Sequence, residues 1–281
     1  MATLTIWSES GGVGKTTTAL NLAAALGRDE YEVLVVDFDP QPASLTDHAG
    51  YTKRKKADRE ATIVDALLDE EISVTDVRIE DELFDLVPAH ESLASLESTV
   101  RAEQISMAEF LLRSALEPVE SEYDFILIDP PATLNLLVDN ALIASGNVLI
   151  PVEMTRKGER SAEGVIETVE ALERQLQRAQ PEFTLNVVGV LPNKVSGSTL
   201  NREVRTSLQE SDVELLPVTV PDYNVLEQAW NAQLDIFRFA DHDEHGLRPY
   251  QEQLPEVYRA LADAVIERME TESTTRQVSA E

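Results

Sequence analysis

The stretch Gly11-Gly12-Val13-Gly14-Lys15-Thr16-Thr17 constrains the fold of this chain more than any other feature. Leu4, Ile6 and Trp7 form a short apolar run before it. Thr17 to Leu26, rich in Ala and Leu and stopped by Gly27, follows it, so the order reads strand, glycine loop, helix. Glycines let a backbone wrap a polyphosphate so that successive N–H groups and the helix N-terminus point at it. Lys15 would then neutralise β/γ-phosphate charge and the Thr16 hydroxyl would hold Mg²⁺. An ordinary glycine turn leaves the Lys-Thr pair and its strand–helix setting unexplained.

The same grammar recurs downstream. Val33-Leu34-Val35-Val36 ends at Asp37, Phe125-Ile126-Leu127-Ile128 ends at Asp129, and Val148 to Val152 and Leu185 to Leu191 are further β-branched runs, with Phe84 to Val87 a weaker one. Continuous apolar runs of this length are strands buried on both faces. Helical stretches are expected at roughly 61–69, 104–117, 158–179, 200–210, 224–232 and 252–270. Alternation of the two predicts an α/β fold, a doubly wound and mainly parallel sheet with helices on both faces. No repeat and no Gly/Ser linker divides the chain, so one domain over 1–270 is expected, with 271–281 a polar, disordered tail.

Composition narrows the function. There is no cysteine, which excludes disulfides, thiolate nucleophiles and cysteine-held metal clusters. No run approaches eighteen apolar residues, and Met1 to Ser10 lacks the pattern of a secretory signal, so a soluble, cytoplasmic protein is expected. Asp and Glu number 52 against 23 Lys and Arg, a net charge of −29 spread along the whole chain. Regular apolar segments exclude a disordered acidic protein, and an acidic solvated surface fits a cell with molar internal salt, where the Debye length is about 3 Å. A halophilic source is the expectation.

The loop departs from the standard pattern at Glu9, where a glycine would stand, and here it resembles the deviant Walker A group of ATPases, specifically the ParA/Soj family of partition proteins. Asp37-Phe38-Asp39-Pro40-Gln41 resembles that family's second motif and Tyr123 to Pro131 its Walker B. Asp139-Asn140-Ala141-Leu142, Gly189-Val190-Leu191, Thr199-Leu200 with Glu203-Val204-Arg205, and Pro217 to Pro221 continue the likeness over about residues 2–269. The resemblance implies a slow ATPase with ATP/ADP and Mg²⁺ as cofactors. Gly11, Gly12, Val13, Gly14, Lys15, Thr16 and Thr17 would bind the phosphates, and Thr16, Asp37 and Asp129 the magnesium. Asp39 would orient the attacking water, with Lys15 its catalytic partner, and Asn193 and Pro221 would contact adenine. Carboxylates at strand ends suit these roles, because open α/β sheets bind ligands there.

It further implies an ATP-dependent homodimer that binds DNA nonspecifically, associates with the nucleoid and is released by a ParB-like adaptor during plasmid or chromosome partition. Candidate DNA contacts are Lys194, Arg202 and Arg205, with Lys53-Arg54-Lys55-Lys56 a further basic run. The family's signature lysine would precede Gly11, where this chain has Ser10; Arg156 and Lys157 are the candidates to replace its charge. Two alternatives remain, a MinD-like positioning ATPase and a nucleotide-binding regulator with little turnover. Against the first, Val257 to Met269 carries Asp263 and Glu267 rather than a basic amphipathic face. His242 and His245, in a stretch without helical periodicity, read as a polar loop rather than a metal site.

Overall fold

Val33–Asp37 and Phe125–Asp129 are buried at every position, as their uninterrupted apolar sequences require, and form strands β2 and β4. The others are β1 (Ala2–Ile6), β3 (Asp85–Val87), β5 (Asn147–Glu153) and β6 (Asn186–Asn193). The computed structural model describes residues 1–52, 61–211, 213–243 and 245–279, with side chains as far as Thr271. All six strands pair in parallel in the order β3-β2-β4-β1-β5-β6. Chain order therefore reverses between β1 and β4, which opens a crevice at the C-terminal strand ends.

Seven helices of eight or more residues occur among the described residues: α1 (Lys15–Arg28), α2 (Leu96–Glu103), α3 (Leu136–Ser145), α4 (Arg156–Leu176), α5 (Thr199–Glu210), α6 (Val225–Ala232) and α7 (Leu254–Ser279). Alternate strand residues face opposite layers. Leu4, Ile6, Val33, Val35 and Leu127 pack under α1, α6 and α7. Leu34, Val36, Ile126 and Ile128 pack against α2, α3 and the short helices Ile63–Leu68 and Leu111–Leu116, while Val148, Ile150 and Val152 meet α4 and α5. Each such side chain contributes about 1.5–3 kcal/mol on burial, so the strand ends are held from both sides. Gly27 permits the closest approach in α1: a Cβ there would lie 1.8 Å from the Leu83 carbonyl oxygen.

Two expectations about helices change. The stretch expected as one helix over 104–117 is α-helical only over Leu111–Leu116, while α2, which the sequence did not flag, precedes it and ends at Glu103 with Gln104 in the left-handed region. Leu96 and Val100 share one face, as do Leu112 and Leu116. On a continuous helix the step from Val100 to Leu112 would rotate the second pair by about 120° off the core, and the break returns both pairs to it. At the other end, α7 runs to Ser279, past the helix boundary expected at 270. A polar sequence removes the apolar stripe, but a helix already nucleated propagates at little cost.

Candidate functional site

The loop between β1 and α1 is shaped by two constraints. Gly14 adopts φ +92°, which a side chain would resist, and a Cβ on it would lie 2.4 Å from Asn193 Nδ2. Asn193, at the end of β6, donates from that nitrogen to the Val13 carbonyl (2.8 Å) and accepts the Lys194 N–H on its oxygen (2.9 Å). The amide expected to read a base edge thus also clamps the loop. A cleft of about 580 Å³ runs from Gly12, Lys15, Thr16 and Thr17 past Asn193 to Pro221 and Trp230. Pro221 reaches it because residues 214–221 run alongside β6, with parallel bridges Val190↔Leu215 and Val195↔Pro221.

Lys15 is 8 % exposed and donates to the Ser10 carbonyl at 3.3 Å. Burial holds its ammonium below the usual lysine range, opposed by the charges of Asp129 and Asp39. Asp37 and Asp129 are buried and paired in register across β2 and β4. Burial raises Asp129 well above the carboxylate range and the Asp37 charge adds to this; the Thr16 hydroxyl and Lys15 favour its ionised form, and Asp39 opposes it. No hydrogen bond of good geometry reaches either Asp129 oxygen.

Asp37, expected in the magnesium shell beside Asp129, is also held by the loop after β2. Its Oδ2 accepts from Ser44 Oγ (2.5 Å), Thr46 N (2.7 Å) and Thr46 Oγ1 (2.5 Å), and its Oδ1 from Asp39 N (3.2 Å). Thr46 Oγ1 in turn accepts from Ala89 N at 3.0 Å. Asp37 therefore ties down the loop after β2, and the sequence carries no spacing rule that flags Ser44 and Thr46. Asp39 accepts from Gln41 N at 2.9 Å and lies close enough to Lys15 and Asp129 to act on both charges. Among the described residues no three His, Cys, Asp or Glu side chains converge as a ready metal cage. Magnesium bound through one or two carboxylates, phosphate oxygens and water needs none.

Ser10 Oγ donates to Ser161 Oγ on α4 at 3.1 Å, and Thr168 Oγ1 on the same helix donates to Glu9 Oε1 at 3.3 Å. Arg156, a candidate to replace the signature lysine's charge, pairs with Glu159 (3.0 Å) and Glu203 (3.6 Å) in a separate groove that Arg202 also lines. Lys157 is exposed beside it. Of the three candidate DNA contacts, Lys194 lines the cleft and pairs with Glu153 (3.3 Å), while Arg202 in the groove and Arg205, which donates to Thr219 Oγ1 (3.1 Å), both lie on α5. Lys53-Arg54-Lys55-Lys56 lies outside the described residues. His245 stacks on Phe239 (4.9 Å, 5°) with His242 at 4.6 Å. Helix α6, which brings Trp230 to the cleft, was expected only as a helix and not as a wall. Among the described residues no helix is long and apolar enough to cross a membrane.

Residues 1–183 match the AAA domain family. Over 277 residues, 98 % of both chains, the sequence is 32 % identical to an uncharacterized protein of Pseudomonas putida. It is 42 % identical over 154 residues to the chromosome partitioning protein ParA of Myxococcus xanthus, covering 53 % of this chain and 50 % of that one. The fold is similar to that of a McdA variant from Cyanothece solved in complex with ATP, with TM-score 0.74, 23 % identity and 96 % of each chain covered. With its glycine loop, its parallel strand order and these relatives, the chain belongs to the ParA/Soj family of P-loop proteins.

Proposed function

We propose that this chain is a magnesium-dependent ATPase whose nucleotide state switches a partition machine. The observation that carries the reading is the loop end of the cleft: buried Lys15 lies within electrostatic reach of buried Asp129, whose two oxygens lack hydrogen bonds of good geometry. A hard cation with phosphate oxygens fits that donor set. Thr16 and Asp129 would hold Mg²⁺, which when bound screens phosphate charge, and Asp37 would support it from the side.

Lys15 and the loop N–H groups orient the triphosphate, and Asp39 positions the water, because phosphoryl transfer needs mainly placement and charge stabilisation. The McdA variant of similar fold holds ATP, and the Myxococcus relative is a chromosome partitioning protein. The reading extends to an ATP-dependent dimer, to nonspecific DNA contact through Arg202 and Arg205 on one flank of α5, and to release by an adaptor. Ser10, tied to Ser161, supports slow basal turnover, because its hydroxyl brings no charge to a phosphate.

Equilibrium dialysis with ATP, with and without Mg²⁺, tests the site. Lys15→Ala is expected to lower affinity at least about a hundredfold through loss of a buried charge-assisted contact. Affinity within twofold of the unsubstituted chain would reject the site.

A further inference from the structure

Residues 45–52 and α6 meet at a contact that the nucleotide reading leaves without a role. His48 ends the short helix Leu45–His48 and is 1 % exposed; its ring lies 4.0 Å from that of Trp230, tilted by 45°. Its Nδ1 is buried without a hydrogen-bond partner, and burial pushes the imidazole down to about 3, so the ring is neutral near pH 7. In that state a histidine serves as an aromatic spacer. Beside it, Gln233 Nε2 donates to the Asp47 carbonyl (3.1 Å) and to Thr52 Oγ1 (3.3 Å). A ring stack and an amide therefore fasten this segment to the end of α6.

The two ends of the contact belong to different parts of the site. Trp230 lines the cleft together with Lys15 and Thr17. At the opposite end of the Leu45–His48 helix, Ser44 and Thr46 supply the three hydrogen bonds to Asp37 Oδ2. Asp37 is in turn the register partner of Asp129. The helix is one turn long, about 6 Å, so a shift of His48 tilts the donors that hold Asp37.

We propose that His48 is a positioning residue that transmits occupancy of the cleft at Trp230 to the Asp37–Asp129 pair through Ser44 and Thr46. This rests on the nucleotide reading above. The coupling is reciprocal, as linkage requires: a cation at the carboxylates alters the surroundings of Trp230, and Trp230 alters cation affinity.

The chain has two tryptophans, so Trp7→Phe leaves Trp230 as the only indole. In that protein, saturated with ATP in EDTA, addition of excess Mg²⁺ is expected to change Trp230 emission. His48→Ala is expected to abolish that change and weaken Mg²⁺ binding about tenfold, leaving ATP affinity in EDTA within about twofold. His48→Phe, which keeps the neutral ring, restores both. An unaltered Mg²⁺ response in His48→Ala, or a His48→Phe protein as defective as His48→Ala, overturns the proposal while the nucleotide site stands. Absence of ATP binding in the unsubstituted chain overturns both. Should His48→Ala fail to fold, Trp230→Leu decides the matter by calorimetric Mg²⁺ titration of the ATP complex: about tenfold weakening supports the link and unchanged affinity ends it.

Discussion

The ends of β2 and β4 are the same feature built twice, an apolar strand closing on a buried aspartate at the same level of the sheet, yet the two carboxylates are in opposite states. Asp37 takes three hydrogen bonds on one oxygen and one on the other; neither oxygen of Asp129 has one of good geometry. The loops that follow make the difference. After Asp37 the chain turns back, so the Asp39 N–H reaches Oδ1 and Ser44 and Thr46 reach Oδ2. After Asp129 come Pro130 and Pro131, and the N–H two residues on, which Asp39 supplies in β2, does not exist. Strand position brings a carboxylate to the crevice. The next ten residues decide whether it serves the fold or remains available to a ligand.

The largest effect that tests this contrast is the removal of Asp37. Asp37→Ala strands the Ser44 and Thr46 donors in a buried site and is expected to cost about 3–5 kcal/mol in urea unfolding. A loss below about 1 kcal/mol would mean that Asp37 is not structural. Thr46→Val keeps the shape and removes one hydroxyl that serves both Asp37 and Ala89 N, with an expected cost of about 1–3 kcal/mol.

The third effect is a slope with pH. The folded chain, without nucleotide, keeps the Asp129 proton above the pH at which an unfolded aspartate has lost it. The folded state therefore binds more protons in that window, and stability falls as pH rises from the ordinary carboxylate range through the raised Asp129 value. Asp129→Asn is expected to flatten that part of the profile, and urea midpoints from pH 4 to 8 measure it. A slope unchanged by Asp129→Asn would place the proton elsewhere. The smallest effect is that of Ser10→Ala, which loses one part-buried hydrogen bond to Ser161 and is expected to cost about 0.5 kcal/mol, with ATP affinity within twofold. A tenfold loss of affinity would give Ser10 a direct part in phosphate binding.

The contrast also explains how far the sequence could be read. Strands β2, β4 and β5 announce themselves as unbroken apolar runs, and the glycine loop with Lys15 and Thr16 is contiguous, so both were legible. Helix α3 was not, because Leu136 to Ala144 is apolar nearly all round and shows no 3.6-residue stripe. Its Asp139-Asn140 motif turns out to be partly structural: Asn140 accepts from Leu112 N (3.0 Å) and donates to the Ala108 carbonyl (2.8 Å). The far wall of the cleft was legible in part. Asn193 and Pro221 were expected there through the family resemblance, whereas Trp230 was not, because it comes from a separate element that only the packing brings to the cleft.

The central claim is that Asp129, not Asp37, is the carboxylate left free for the cation that accompanies ATP. Thermal melting of the unsubstituted chain and of Asp129→Asn, each with saturating ATP in EDTA and then with Mg²⁺, tests it most directly. Asp129→Asn is expected to melt at or above the unsubstituted chain without Mg²⁺, because a buried carboxylate without good hydrogen bonds has been removed, and to gain little when Mg²⁺ is added, whereas the unsubstituted chain gains several degrees. An Asp129→Asn protein that melts lower in EDTA yet gains the full Mg²⁺ increment would contradict it.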